Sequence, residues 1–392
     1  MLYAMIRTAF LSILLLLASG QLSAQYLEGG ATHQLSGYLR EMGGVRLNND
    51  FSDPQFDNLL HLRLNYRWNM NNRYSFVAEG RSRLFYNPML SDYPFFGDML
   101  DEDPGVMDLS RVWMNRGAWL GHSMVDRLYL DYTTEKWRFR VGRQRINWGV
   151  TMVSNPNDLF NSYSFFDLDY PERPGADAVR VQYHFGFASR IELGYAPARV
   201  ARESTAALLY SLNHKGYDLQ TVAGYYRNRL VLGMGWAGSI GGAGFKGEGS
   251  WFHDLEERPG VNRSNLVLST GIDYMFGNGI FALLELLYNG GYGRAEEQLM
   301  MLTQPLRPDN IMFSKYAVTL SGDYTFTSLL QGGLSAMMLP DADAMIVMPR
   351  LTCSLLTDLD LEWMAQIVAG GEKGSLLAQA GSYWLLSLKY SY

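Results

Sequence analysis

The sequence predicts an all-β fold, a transmembrane antiparallel β-barrel of about 16–18 strands, wide enough to enclose an aqueous lumen. Three observations carry that prediction. Hydrophobic residues make up 47% of the 392, yet mean hydropathy is −0.12, so apolar and polar side chains are interleaved rather than gathered in blocks. Apolar residues recur at every second position from end to end, the period of a sheet with one oily and one wet face. The connections between these runs are by turns short and long, as in a barrel whose two rims differ.

Residues 1–24 read as a cleaved signal peptide. Arg7 supplies the positive charge, Ala9 to Ala18 the apolar core and Leu22-Ser23-Ala24 the cleavage site. The apolar run falls short of the roughly 20 residues that span a bilayer as a helix. Residues 25–392 are then one barrel domain with no plug before its first strand. No later window resembles a membrane helix, and only a closed barrel of strands would satisfy every backbone group in lipid.

Strands are expected at 33–41, 58–68, 73–86, 123–133, 137–147, 176–185, 188–196, 204–213, 217–227, 229–239, 243–253, 264–276, 280–289, 311–327, 329–339, 344–356, 361–370 and 376–392. In the second, Leu60, Leu62, Leu64, Tyr66 and Trp68 oppose His61, Arg63, Asn65 and Arg67. In the third, Tyr74, Phe76, Ala78 and Leu84 oppose Arg73, Glu79, Arg81 and Arg83. Even-numbered connections, such as 69–72, 134–136 and 277–279, are tight. The long ones, 42–57, 87–122, 148–175, 254–263 and 290–310, are all odd, so the long loops share the external rim; within 87–122, Leu109 to Leu120 reads as a short helix or an extra strand. The last strand ends Trp384, Leu386, Leu388, Tyr390, Tyr392. It resembles the C-terminal assembly signal of bacterial outer-membrane proteins.

The run Val125–Tyr132, then Trp137-Arg-Phe-Arg-Val-Gly-Arg-Gln-Arg-Ile-Asn-Trp-Gly149, Asn155-Pro-Asn-Asp-Leu-Phe160 and Tyr170-Pro-Glu-Arg-Pro-Gly175, resembles bacterial outer-membrane porins of the alginate-export and related large-barrel type. The resemblance implies a channel in the outer membrane of a Gram-negative bacterium and no particular substrate; the leading reading is a pore for small polar or anionic solutes, with oligosaccharides among the candidates. A barrel enzyme acting on lipid and a barrel serving as an assembly or adhesion platform are the alternatives. Expected partners are outer-membrane lipid and lipopolysaccharide, the barrel-assembly machinery through the Tyr392 end, and small polar solutes, with a homo-oligomer left open.

Parity assigns Arg63, Arg67, Arg81, Arg83, Arg138 and Arg140 to the lumen, with Glu79 and Asp131 among them. After Gly142 the parity breaks, and a β-bulge there would return Arg143, Arg145 and Asn147 to the interior; the other reading is that the strand has reached the rim. Later strands lean acidic, with Glu248, Asp273, Glu285, Asp323 and Glu362 opposing Lys246, Lys315 and Lys389. An arginine wall facing an acidic one would set a transverse field favouring anions, unless the charges pair with one another. Loop 148–175, with Asp158, Tyr163, Phe165, Asp167 and Asp169, is the candidate constriction, or an external loop packed on its neighbours.

No cofactor and no metal are implied. Asp98, Asp101, Glu102, Asp103 and Asp108 lack the spacing of a calcium loop, and the lone Cys353 shares the lipid-facing parity of Val347, Leu351 and Leu355. A net charge of −6 gives no basic footprint for nucleic acid. A barrel phospholipase would need a His, a Ser and a polar partner converging on the lipid face, and His253-Asp254 near Ser264 is the nearest candidate.

Overall fold

A computed structural model describes residues 31–48, 52–91, 95–103, 105–161, 175–186, 188–256, 262–292, 307–371 and 376–392. The predicted signal peptide lies outside the described residues. Nineteen strands form one antiparallel sheet. The first five are β1 (Thr32–Leu47), β2 (Gln55–Asn69), β3 (Tyr74–Tyr86), β4 (Ser110–Arg116) and β5 (Trp119–Thr133). Next come β6 (Trp137–Gln144), β7 (Ala176–His184), β8 (Arg190–Ala196), β9 (Thr205–His214), β10 (Tyr217–Tyr226), β11 (Arg229–Ile240) and β12 (Ala243–Asp254). The series ends with β13 (Ser264–Met275), β14 (Phe281–Asn289), β15 (Tyr316–Thr327), β16 (Leu330–Leu339), β17 (Ala344–Leu356), β18 (Leu359–Gly370) and β19 (Ser382–Ser391). Because β19 pairs with β1, and β3 pairs directly with β5, eighteen strands close the barrel and β4 is an addition to it.

The two faces sort as the alternation predicts. Leu208, Leu230, Leu232, Leu268 and Leu386 are exposed on the outer face, while Leu209, Val231, Val267, Arg63 and Glu285 are buried on the inner one. Aromatic rings gather at the two ends of the outer face, where an amphipathic ring suits the boundary of oil and water. Tyr74 lies 4.7 Å from Tyr132 and Trp137 4.7 Å from Tyr183 at one rim, and Tyr86 lies 4.9 Å from Trp119 at the other. Cys353 pairs with Leu330 and Leu361 on the parity predicted for it.

Several predicted boundaries are corrected. β1 continues to Leu47, β6 stops at Gln144, β15 starts only at Tyr316, and a short helix at Leu376–Gln379 precedes β19. Loop 87–122 contains helix α1 (Phe96–Asp101) and β4, the extra strand. β4 takes the edge of β5 that β6 leaves uncovered, pairing Ser110 with Met124 and Arg116 with Trp119. No bulge occurs at Gly142, where β6 keeps register with both β5 and β7. The register shift lies in β5 instead, opposite Glu79 and Gly80, and leaves Asp126 as the extra residue.

The seam that closes the barrel is a two-way backbone lock. Gly37 donates its N–H to the Tyr392 carbonyl at 3.0 Å, and Tyr392 donates back to Gly37 at 3.1 Å. The Tyr392 hydroxyl then crosses β1 to donate to the Arg63 carbonyl on β2, 3.2 Å away. A Cβ at residue 37 would stand 2.1 Å from that carbonyl and 2.7 Å from the hydroxyl, so only glycine fits. Gly37→Val is therefore expected to abolish most of the heat-modifiable folded band on gels. Tyr392→Phe, losing one hydrogen bond worth about 1 kcal/mol, should keep the band and lower the melting temperature slightly.

Candidate functional site: the barrel interior

At the end of β6 the chain leaves the wall. Gly142 takes φ +116°, and a Cβ there would meet the Leu128 carbonyl at 2.2 Å, so the exit geometry requires glycine. Gln144, fully buried, then donates to the Ala178 carbonyl at 2.9 Å. Segment 145–161 crosses the interior and packs on the far wall. Its apolar residues Ile146, Trp148 and Leu159 join Leu209, Val222, Phe252 and Val267 of β9 to β13 in one buried cluster. The barrel thus has a core on its inner face, and the loop is its second layer.

Three carboxylates hold this loop. Glu192 on β8 accepts the Trp148 indole N–H at 2.7 Å. Glu248 on β12 accepts the Val150 amide at 3.1 Å, the Thr151 hydroxyl at 2.8 Å and the Asn155 side-chain amide at 3.0 Å. Glu285 on β14 accepts three successive amides, from Met152, Val153 and Ser154, at 2.7 to 3.1 Å. Consecutive N–H groups converging on one carboxylate form a nest, which satisfies loop backbone that no ladder serves. The predicted pore acid Glu285 is thereby covered by the loop. Asp158 is buried within the loop, while Tyr163, Phe165, Asp167 and Asp169 lie outside the described residues.

The predicted arginine residues are brought together on β2, β3 and β6, but in company. Arg63 pairs with Asp126 at 2.7 Å and Glu79 at 2.9 Å, and Arg81 approaches Asp126 at 3.7 Å. Arg83 contacts the His122 ring at 3.1 Å. Arg138 and Arg140 share Asp131, each at 2.6 Å, and Arg140 also stacks 4.2 Å above the Tyr129 ring. Arg67 is exposed and has no ion pair among the described residues, and Arg145 is half-buried at the start of the inward segment. Asp323 pairs with Arg350 at 2.9 Å on the opposite wall. Lys315 lies just before β15, over the rings of Tyr288 and Tyr316. Sequence reasoning passed over Glu192, which accepts from Arg180, Gln182 and Arg190 as well as Trp148. Its parity between Ile191 and Leu193 was the available signal.

Arg143 ties the segment before β4 to the wall. It reaches Asp103 at 2.7 Å and Asp177 at 2.8 Å, and donates to the Met107 carbonyl at 2.7 Å. Burial alone would raise the Asp103 carboxyl, but the guanidinium and the amides of Gly105 and Leu109 hold it below its ordinary value. His122 bonds Ser110 at 2.8 Å, and the Ser110 hydroxyl also donates to the Leu100 carbonyl. Asp103 therefore serves as an anchor; no metal-binding group of His, Cys, Asp and Glu occurs among the described residues. On the outer face, His253 does meet Ser264 at 2.7 Å and its ring stacks on Trp251 at 5.3 Å, while Asp254 pairs with Arg229 at 2.5 Å.

An eighteen-strand closed barrel with one long loop tucked against its inner wall is the architecture of the bacterial outer-membrane porins, and this chain has that fold. OccAB1 of Acinetobacter baumannii is 9% identical, with a TM-score of 0.59 over 92% of this chain and 96% of the other. OccK5 (OpdH) of Pseudomonas aeruginosa is 9% identical, at 0.59 over 92% and 98%. OmpF of Salmonella typhi, solved with daunomycin, is 10% identical, at 0.51 over 94% and 100%. No family model and no curated protein matches the sequence.

Two outcomes follow from these anchors. Glu285→Leu leaves three loop amides without their acceptor, each worth about 1–3 kcal/mol. Hydrogen exchange at Met152–Ser154 should then accelerate at least tenfold while the strands stay protected; unchanged exchange would remove Glu285 as the anchor. Asp103, with its lowered pKa, stabilises the docked loop at neutral pH and loses that contribution only as pH falls through the folded value, below about 4. Proteolysis within 96–110 should remain slow from pH 7 to about 4, and Asp103→Asn should make it fast at pH 7.

Proposed function

We propose that the protein is a diffusion pore of a Gram-negative outer membrane, passing small polar or anionic solutes, oligosaccharides among them. The observation that carries this reading is a closed barrel whose inner face is charged and whose long loop folds inside it. At the short-turn rim, the inward side chains of Arg138 and Arg190 are 39% and 31% exposed. Anion preference is supported by stoichiometry: Arg138 and Arg140 share one carboxylate, and Arg180 and Arg190 share another. Both Arg180 and Arg190 bond Glu192 through Nε, which among the described residues leaves their Nη groups for a solute. Segment 145–161, with Asp158, is the constriction in this reading.

Export by a cleaved signal peptide, insertion by the barrel-assembly machinery through the Tyr392 end and contact with lipopolysaccharide belong to the same proposal. They rest on the N-terminal pattern and on the terminal aromatic strand. In planar bilayers the purified protein should give step-like currents with an anion-leaning reversal potential. Replacing Arg138 and Arg140 with Glu turns a net positive triad with Asp131 net negative and should move selectivity toward cations. A sealed bilayer would overturn the pore, and an unmoved reversal potential would remove these arginines from the conducting path.

A further inference from the structure

Of the three carboxylates that hold the inward loop, Glu192 on β8 also holds arginines, whereas Glu248 and Glu285 take only neutral donors among the described residues. Glu192 is fully buried. Its Oε1 accepts the Trp148 indole N–H at 2.7 Å and the Arg180 Nε–H at 2.6 Å, and its Oε2 accepts Gln182 at 2.7 Å and the Arg190 Nε–H at 3.3 Å. A carboxylate offers about four lone-pair positions, so these donors fill it, and the two on each oxygen compete. Trp148 is held at this spot independently of that bond. Phe160 packs edge-on against it at 5.1 Å and lies over Gly194, where a Cβ would come within 2.7 Å of the Phe160 ring. Gln220 donates to the Trp148 carbonyl at 2.6 Å.

We propose that Glu192 is a positioning residue through which the inward loop sets the anion affinity of Arg180 and Arg190. Because Trp148 occupies part of Oε1, Arg180 is bound less tightly to Glu192 and keeps more of its charge for the lumen. Glu192 is too deeply buried to follow a guanidinium toward a solute, whereas Arg190, partly exposed and on the longest of the four bonds, can leave. An anion that draws the two guanidiniums outward leaves the carboxylate to Trp148 and Gln182, and the loop is held harder. Docked loop and bound anion therefore favour one another, by the same factor in each direction. The inference rests on the pore reading above and adds to it a constriction that responds to the solute in it. A loop held by Glu248 and Glu285 alone would be indifferent to what passes.

Sulfate, as a probe anion, tests this by channel block in planar bilayers and by hydrogen exchange on the full-length folded protein. Trp148→Phe keeps an aromatic ring in the packing and removes the indole donor. Since residue 148 is buried and meets no solute, a weaker sulfate block in this variant, about fivefold, would report the competition at Glu192. In the unmodified protein, saturating sulfate should slow exchange at the amides of 150–154 by a similar factor. In Glu192→Gln it should leave them unchanged, and adding Trp148→Phe to Glu192→Gln should not weaken the block further. Protected strand amides confirm that each variant is folded. The proposal is overturned if Trp148→Phe is blocked as well as the unmodified protein, if sulfate leaves loop exchange unaltered, or if Trp148→Phe costs the same in the Glu192→Gln background, where the effect would be general loosening. Any of these with anion-leaning currents intact leaves the pore reading standing, whereas a sealed bilayer removes both.

Discussion

Closure of the backbone ladder is the constraint on which everything else depends. In hydrocarbon an unpaired N–H or C=O costs several kcal/mol, so a sheet that enters lipid cannot end in an edge. Here the last edge is removed by pairing β19 to β1 from Tyr38–Ser391 through Leu47–Ser382. Once the ladder is a ring, period two does the remaining sorting: every strand has one face that can meet only lipid and one that can meet only the interior. The chain needs no second sheet and no covering helix, because the bilayer takes the place of the other layer.

What the ring cannot provide is a filled interior, and the molecule solves this with its own connections. Segment 145–161 and residues 307–313 lie against β9 to β17, where inward Leu209, Val231, Met337 and Ile346 would otherwise form a bare apolar wall. A loop inside a barrel brings backbone donors with no ladder to join. The buried carboxylates of Glu192, Glu248 and Glu285 are the acceptors that make such a loop affordable. Asp309 plays the matching part at residues 307–313, pairing with the buried Arg229 of β11.

Most of the wall was legible in the sequence because strand parity is a property of neighbouring residues. Leu60, Leu62 and Leu64 against His61 and Arg63 need no tertiary information to be sorted. β4 was only half legible: Ser110–Arg116 carries Arg111 and Arg116 on its outward parity, so its alternation is not that of a lipid-facing strand, and it exists because β6 leaves β5 uncovered above Val125. The bulge was expected at Gly142 because Arg143 and Arg145 fall on the wrong parity. The structure accommodates Arg143 by ending the strand and burying the guanidinium between Asp103 and Asp177, residues separated from it by 40 and 34 positions. Glu285 looked like a bare pore acid since its true partners are backbone amides more than 130 residues away, which no local pattern can announce.

The charge pattern of the interior follows from the same geometry. A wall of arginines with no carboxylates between them would repel itself and weaken the fold, since like charges within a few ångströms in a poorly screened space interact strongly. Placing Asp131 and Glu192 among them reduces the field without cancelling it, because each serves two arginines, whereas Asp126 and Glu79 together balance Arg63 and Arg81. The sharing also fixes geometry: with Arg138 and Arg140 both drawn to one Asp131 oxygen, neither side chain is free to swing across the lumen. A wall built this way keeps a residual positive potential at fixed points. In the proposed pore, that combination of a modest field and donors held by shared carboxylates would suit weak and reversible contact with an anion better than the unpaired arginine wall that parity alone describes.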